Sequence, residues 1–225
     1  GGYTFIPVPN WNGTVPPITY TISDDEGGTD TAILTITVIP VNDAPEPVGS
    51  LPPQRGQDAD GGIRIPTAGG FTDIEGDTLT FGATGLPPGL SIDPSSGEIT
   101  GTLDRSASQG GPNGDGIYTV TVTVNDGNGG STSQTFTYTV TNPPPVAADD
   151  SATTPEDTPV SGNLLPNDSD PDGDPLTVTG FEVNGTSYLP GSTATIPGVG
   201  TIVIGSSGGY TFIPVPNWNG TVPPI

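Results

Sequence analysis

The sequence contains no cysteine, no histidine and no lysine, and each absence excludes a class of site. Without cysteine there is neither a disulfide framework nor a thiolate metal site. Without histidine there is no imidazole base, no proton shuttle and no histidine-ligated zinc site. Long apolar runs are lacking too, because none approaches the roughly 20 residues that a membrane-spanning helix needs. We therefore expect no membrane span in this segment.

The charge is strongly one-sided, with 25 Asp and Glu against three Arg and a formal net charge of -22. Phosphate backbones and anionic lipid surfaces repel such a chain, so nucleic acid is not an expected partner, whereas cations are attracted. The missing side chains exclude most familiar catalytic constellations, and we predict that the protein is not an enzyme. Paired acids such as Asp73 and Asp77 would suit a glycosidase only beside a substrate cleft, which nothing in the sequence indicates.

Glycine and proline, 35 and 28 residues, are typical of low-complexity chains when they follow no period. This chain has a period. Residues 1–18 and 208–225 both read GGYTFIPVPNWNGTVPPI, 207 residues apart. We interpret the chain as a window from a longer tandem array.

A fainter repeat lies inside the 207-residue period. Residues 18–38 align without a gap with residues 120–140, and residues 73–81 align with residues 170–178. Two related modules of roughly 100 residues therefore alternate. Proline clusters indicate the boundaries, which predict the C-terminal part of one module over residues 1–44, a complete module over 45–142, and the N-terminal part of the next over 143–225.

Strict alternation of apolar and threonine residues predicts strands. It is clearest over residues 118–124 and 135–140 and recurs over 18–22 and 34–38, with shorter runs at 79–81, 176–178 and 202–204. Asn-Gly pairs suit tight turns between such strands. The predicted fold is all-β, a series of antiparallel sandwiches. Trp11 and Trp218 occupy the same repeat position, and we predict that they plug a core rather than stack on a sugar.

The acidic residues concentrate where the predicted strands end. Hard divalent cations take six to eight oxygen ligands, and carboxylates at alternate positions around a glycine supply several from one loop, so calcium is the predicted cofactor. Residues 168–174 also match the opening of an EF-hand loop, but the twelfth position is Thr179 instead of Glu and a predicted strand follows. Ordinary Asp/Asn/Gly turns are the alternative. The clusters contain Asp24, Asn42 with Asp43, the trio Asp73, Glu75 and Asp77, Asp126, and the run with Asp170, Asp172 and Asp174.

Several motifs resemble the cadherin repeat. They are Pro155-Glu156-Asp157, Val41-Asn42-Asp43-Ala44-Pro45, the Asp-x-(Asp/Glu)-Gly-Asp loops at 73–77 and 170–174, and an Asp-x-x-Gly-Gly turn before the last strand. Residues 147–178 resemble the opening of a bacterial cadherin-like or Ig-like repeat of giant surface adhesins. Residues 85–103 resemble the dystroglycan-type cadherin-like, or Putative-Ig, signature. The resemblance covers the whole chain and implies tandem Ig-like/cadherin-like sandwiches in an elongated array, outside the cell, either at its surface or secreted.

The resemblance also implies ligand sets for calcium at the two junctions. The first would use Asn42, Asp43, Asp73, Glu75, Asp77 and Asp126, and the second Asp104, Asn142, Asp170, Asp172 and Asp174, while Glu156 and Asp157 would serve the matching junction one unit along. At the second junction Ser106 replaces the glutamate of the cadherin Leu-Asp-Arg-Glu motif, and the Asn-Pro-Pro-Pro linker has no carboxylate. We therefore expect a weaker second site.

These observations predict a non-catalytic spacer, a calcium-stiffened segment of a bacterial surface adhesin or fibre. Its expected partners are neighbouring repeat units or identical chains joined end to end. One alternative is a module that binds a glycan or a protein, and another is a filament subunit joined by strand complementation. Because a whole module separates residues 1–44 from residues 143–225, we expect that these two parts do not close onto each other within one chain.

Overall fold

A computed structural model describes residues 2–222, and these residues form strands joined by turns. The helices found in this range are three 3-10 turns, Ala68–Gly70, Ala107–Gln109 and Leu165–Asn167. None of its helices is long and apolar enough to cross a membrane. The predicted all-β fold is confirmed.

The first part of the chain contains one hairpin and one small strand pair. Its strands are β1 (Gly13–Thr14), β2 (Ile18–Ser23), β3 (Thr29–Leu34) and β4 (Thr37–Val38). β2 pairs antiparallel with β3, and β1 pairs antiparallel with β4. The side chains of β2 are exposed on both faces of the hairpin.

The middle part is a two-sheet sandwich. Its strands are β5 (Glu46–Pro47), β6 (Gln54–Gln57), β7 (Ile63–Pro66), β8 (Phe71–Thr72), β9 (Thr80–Thr84), β10 (Leu90–Ile92), β11 (Glu98–Gly101), β12 (Ile117–Asn125) and β13 (Ser131–Thr141). One sheet has the order β6-β13-β12-β9 and the other β10-β11-β7, with β5 paired to β8 at one end. All pairs are antiparallel except β6 with β13.

The period-two pattern places the core between these two sheets. Val120, Val122 and Val124 of β12 are fully buried, whereas Thr119 on the opposite face is exposed. They pack with Ile99 of the opposing sheet in one continuous cluster. The predicted faces of β12 and β13 are confirmed.

Two glycines allow two backbone segments within residues 85–103 to lie in close contact. Gly89 has a φ of +93°, and a Cβ atom there would lie 1.9 Å from the carbonyl oxygen of Thr102. Gly101 has a φ of +148°, and a Cβ atom there would lie 2.1 Å from the carbonyl oxygen of Gly89. Only glycine permits the two segments to approach this closely.

The third part forms a second sandwich. Its strands are β14 (Val160–Asn163), β15 (Phe181–Val183), β16 (Thr186–Tyr188), β17 (Thr193–Ile196), β18 (Gly200–Ile204) and β19 (Gly209–Pro214). The sheet β14-β19-β18-β17 and the hairpin β15-β16 share a second core that includes Val183, Ile202 and Phe212. The predicted Asn184-Gly185 turn joins β15 to β16, with φ values of +51° and +76°.

Two predicted strands differ from the structure. The run at residues 34–38 is interrupted, because Thr35 and Ile36 belong to no strand and separate β3 from β4. Residues 176–178 belong to no strand, although the Val178 N–H donates to the carbonyl of Ser206 and its side chain packs against the second core. The prediction that the tryptophans plug a core holds for one copy of the repeat and not for the other. Trp218 packs against the second core through Phe212, but Trp11 is half-buried against Phe5 and belongs to neither core cluster.

Among the described residues, no strand of residues 13–38 pairs with a strand of residues 160–214. The expectation that the first and third parts do not close onto each other within one chain stays a prediction.

Candidate metal centre

A tight loop after β8 brings three acidic side chains together. The Asp73 carboxylate accepts the backbone N–H groups of Glu75 and Asp77, each at 3.0 Å. Gly76 makes the bend with a φ of +77°. One carboxylate oxygen from each of Asp73, Glu75 and Asp77 lies within 4.8 Å of the others, and residues 2–222 contain no other such acidic group.

The linker that precedes the middle sandwich reaches this loop. The Asp43 N–H donates to Glu75 Oε2 at 3.3 Å, and Asn42 Nδ2 donates to Asp126 Oδ2 at 2.8 Å. Asp126 lies in the turn between β12 and β13. The structure therefore places linker, loop and late turn side by side at one end of the middle sandwich.

Asn128 is a member of this group that the sequence analysis missed. Its Nδ2 donates to Asp77 Oδ2 at 2.8 Å, and its backbone N–H donates to Asp126 Oδ1 at 2.7 Å. It therefore links the late turn to the acidic loop. Its position two residues after Asp126, inside the Asp-x-x-Gly-Gly turn, could have indicated that it belongs to the group.

Hydrogen bonds hold Asp126 ionised. Only 5% of the residue is exposed. The Asn42 amide, followed by the backbone N–H groups of Asn128, Gly130 and Gly129, lowers the pKa of Asp126 in spite of its burial. A buried carboxylate with these donors keeps its negative charge, which lies beside Asn42 of the linker.

Asp73 gives an independent indication of a ligand. Its Oδ2 atom is buried and has no hydrogen-bond partner. Such an orphaned oxygen is costly unless another group satisfies it. The neighbouring carboxylate oxygens of Glu75 and Asp77 complete a set of oxygen ligands that fits a hard cation such as Ca²⁺. The residues present therefore fit the predicted ion.

The loop at residues 170–174 repeats the geometry of the first acidic loop. The Asp170 carboxylate accepts the N–H groups of Asp172 and Asp174, as Asp73 does at the aligned positions, and it also accepts the N–H of Gly173. Asp172 is 1% exposed, and neither of its carboxylate oxygens has a hydrogen-bond partner. The neighbouring Asp170 carboxyl and then burial raise the pKa of Asp172.

A cation of the chain itself borders this second loop. The guanidinium of Arg105 lies so close to Gly173 that a Cβ atom there would be 2.7 Å from Arg105 Nη1. Asp104 instead accepts the N–H and hydroxyl of Ser106, and Asn142 Nδ2 donates to the carbonyl of Pro143. Within residues 2–222, no hydrogen bond joins Asp104 or Asn142 to the 170–174 loop.

The remaining predicted ligands lie in turns of their own. Asp24 accepts the N–H groups of Glu26 and Gly28, the same pattern as in the aligned Asp126 turn. Asp157 accepts the N–H of Asn217 at 2.6 Å, and Glu156 beside it is exposed. No hydrogen bond in the described part of the chain connects these three residues to the Asp73 loop.

Comparison with protein families gives two matches. The Bacterial Ig domain family matches residues 1–37 and 142–223, which together are more than half of the chain. The Putative Ig domain family matches residues 48–141 between them. The comparison with curated proteins found no match.

Solved structures give weaker likenesses. The chain is 21% identical to Drosophila N-cadherin EC1-3 over 54% of its own length and 41% of that protein, with a TM-score of 0.34. The chain is 17% identical to human Protocadherin-24 EC1-2 over 81% of its own length and 80% of that protein, with a TM-score of 0.35. It is 16% identical to an endo-fucoidan hydrolase of glycoside hydrolase family 107 over 93% of its own length and 33% of that protein, with a TM-score of 0.37. The chain thus spans less than half the length of the first and last of these proteins.

Proposed function

Because the chain belongs to the Bacterial Ig domain family and carries a Putative Ig domain between the two matched parts, we propose that it is a non-catalytic extracellular spacer stiffened by calcium. In this proposal residues 45–142 are one module, flanked by parts of two others at residues 1–44 and 143–225. The spacer would belong to a bacterial surface adhesin or fibre. Bacterial Ig domains are typical of surface proteins, which supports this location.

The observation that carries the proposal is the meeting of linker and acidic loop at Asp43 and Glu75. Asp73, Glu75, Asp77 and Asp126 would hold the ion together with oxygens of the linker. An ion there would offset the repulsion among clustered carboxylates and attach the linker to the sandwich that follows it. The joint would then resist bending, as a spacer requires.

The absence of catalytic side chains in the sequence supports the non-catalytic part of the proposal. Histidine, cysteine and lysine, which supply most bases and covalent nucleophiles, do not occur in the chain. Backbone and amide N–H groups at the joint hold Asp73 Oδ1 and Asp126 Oδ2, while Asp73 Oδ2 has no partner and is free to bind an ion. This arrangement fits a structural ion better than a reacting centre.

The test is calcium binding by the 225-residue chain and by two charge-matched variants. The first replaces the acidic loop through Asp73→Asn, Glu75→Gln and Asp77→Asn. The control replaces three exposed acids elsewhere through Asp30→Asn, Asp115→Asn and Glu182→Gln. Isothermal titration should show that the first variant loses a site while the control keeps it.

Thermal unfolding and small-angle scattering test the stiffening. At a hundred times its dissociation constant, an ion that binds only the folded chain adds about 2.7 kcal/mol to the unfolding free energy. We expect calcium to raise the melting temperature and to increase the maximum dimension of the unmodified chain and the control variant. If EDTA changes neither quantity, the acidic loops are ordinary turns and the proposal is wrong.

A further inference from the structure

The hairpin β2-β3 and the hairpin β12-β13 have aligned sequences and opposite environments. Val120, Val122 and Val124 of β12 are 0% exposed. The aligned residues of β2, Ile18, Tyr20 and Ile22, are 42%, 49% and 59% exposed. The first hairpin therefore has a core face with no core beneath it in this structure.

The middle sandwich shows what covers such a hairpin. β9 lies antiparallel along β12, with Phe81 opposite Val124 and Gly82 opposite Thr123. The second sheet lies beneath both strands, and its Ile99 shares their core. The partner of β2 should therefore resemble β9 and bring a second sheet with it.

A segment of this kind occurs in the third part of the chain. Residues 73–81 align with residues 170–178, so residues 177–181 occupy the position of β9. Residues 177–180 belong to no strand, although their neighbours Val178 and Phe181 pack against the second core. Within residues 143–222 there is no hairpin equivalent to β12-β13. The third part thus offers the edge and the core that β2 lacks.

The duplicated segment limits such a pairing to the hairpin. Phe212 is 6% exposed, because β19 lies between β14 and β18. Phe5, at the identical position of the first copy, is 38% exposed and belongs to no strand. One copy of the same sequence has a sheet around it and the other does not. Because β19 already occupies this position in the third part, residues 2–17 of a docking copy stay outside that sheet and only the β2-β3 hairpin can enter.

We propose that the β2-β3 hairpin docks onto the third part of a second copy of this chain, with β2 antiparallel along residues 177–181. Carrying the register of β9 and β12 over, Thr21 lies opposite Thr179 and Ile22 lies opposite Val178. The docked hairpin buries Ile18, Tyr20 and Ile22 against the core that contains Phe181. The inference depends on the repeat and the exposed faces, not on the cation site.

Disulfide trapping tests this register, because the chain has no cysteine of its own. Thr21 and Thr179 are exposed, so Thr21→Cys and Thr179→Cys should leave each copy folded. Directly opposite residues have Cβ atoms about 4.5 to 5.5 Å apart, close to disulfide geometry. Mild oxidation should give disulfide-linked dimers and longer chains, with the 21–179 peptide identified by mass spectrometry.

The matched control pairs Thr21→Cys with Thr195→Cys, an exposed threonine on the edge strand β17. Equal yields of linked species from both pairs would overturn the proposed register. An intramolecular 21–179 disulfide would overturn the docking between copies, because it would show the two parts closing within one chain.

Ile22→Asp gives a second readout. The residue is exposed in the free chain, so the variant should fold, but docking would bury an unpaired charge. In the Thr21→Cys/Thr179→Cys background we expect the yield of linked species to fall about tenfold or more. Ile39→Asp, at an exposed position outside the pairing register, should leave the yield unchanged. Equal yields with Ile22→Asp and with Ile39→Asp would also contradict the docking.

Discussion

Asn42 Nδ2 donates a 2.8 Å hydrogen bond to Asp126 Oδ2 across 84 residues of sequence. This contact ties the linker to the last turn of the sandwich that the linker precedes. The adjacent Asp43 N–H reaches Glu75, so two neighbouring linker residues are fixed by two different loops. The linker therefore has a defined position beside the acidic loop before any ion is considered.

The two linkers should contribute unequally to calcium binding. Asp43 carries a carboxylate and its backbone N–H contacts Glu75 in the Asp73 loop, whereas Asn142 Nδ2 is bonded to the carbonyl of its own neighbour, Pro143. We expect Asp43→Ala to weaken calcium binding by at least about tenfold and Asn142→Ala to have little effect, as measured by isothermal titration. Equal losses would show that the linker carboxylate is not a ligand.

Arg105 should oppose cation binding at the second loop, because its guanidinium lies against Gly173. In a chain whose Asp73 loop carries the three amide substitutions, Arg105→Gln should tighten calcium binding by roughly tenfold, the repulsion between one unit charge and a divalent ion in water at about 6 Å. Arg55→Gln removes the same charge elsewhere and is the control. The difference between the two variants should shrink as salt is added, since salt screens exposed charges. If Arg105→Gln weakens binding, the guanidinium supports the loop instead.

Identical phenylalanines should have different effects on stability. Phe212 is buried against Trp218, so Phe212→Ala should lower the unfolding free energy, as measured by urea denaturation, by about 3 to 5 kcal/mol. Phe5→Ala, in the same eighteen-residue sequence, should stay within about 0.5 kcal/mol in dilute solution. Similar losses of unfolding free energy in both variants would mean that the segment around Phe5 is packed in a sheet in solution.

The Asp93 turn between β10 and β11 should make stability depend on pH. Hydrogen bonds from the Ser95 hydroxyl, and then from the Ser96 and Ser95 N–H groups and the Ser96 hydroxyl, lower the pKa of Asp93 from 3.8 to about 2. The folded chain therefore holds this carboxylate more strongly ionised than the unfolded chain does. Its contribution is complete above pH 3.8 and is lost as the pH falls through about 2.

Carboxyl-carbon chemical shifts in an NMR titration should give this pKa directly. Asp93→Asn should lower the unfolding free energy at pH 6 and lose its effect near pH 2. Ser95→Ala should bring the pKa of Asp93 closer to 3.8. A pKa of 3.8 in the unmodified chain would contradict the prediction.

Much of the local structure follows from the sequence alone. Alternation fixed the faces of β12 and β13, because a strand turns successive side chains to opposite sides. Asn184-Gly185 fixed a turn, because both residues accept positive φ. The aligned loops at Asp73 and Asp170 share two hydrogen bonds, since the carboxylate of each first aspartate accepts the N–H groups two and four residues later.

Which of these segments contact each other depends on the tertiary fold. The sequence predicted a strand at residues 176–178, but a strand needs a partner, and no hairpin covers that edge within residues 143–222. Trp11 and Trp218 have identical neighbours in sequence, yet only Trp218 has a core to join. Likewise, Asn128 and Arg105 border the acidic loops through contacts between residues far apart in the chain. Local sequence fixes backbone conformation, whereas burial and long-range contacts depend on the distant strands that lie nearby, which no local pattern encodes.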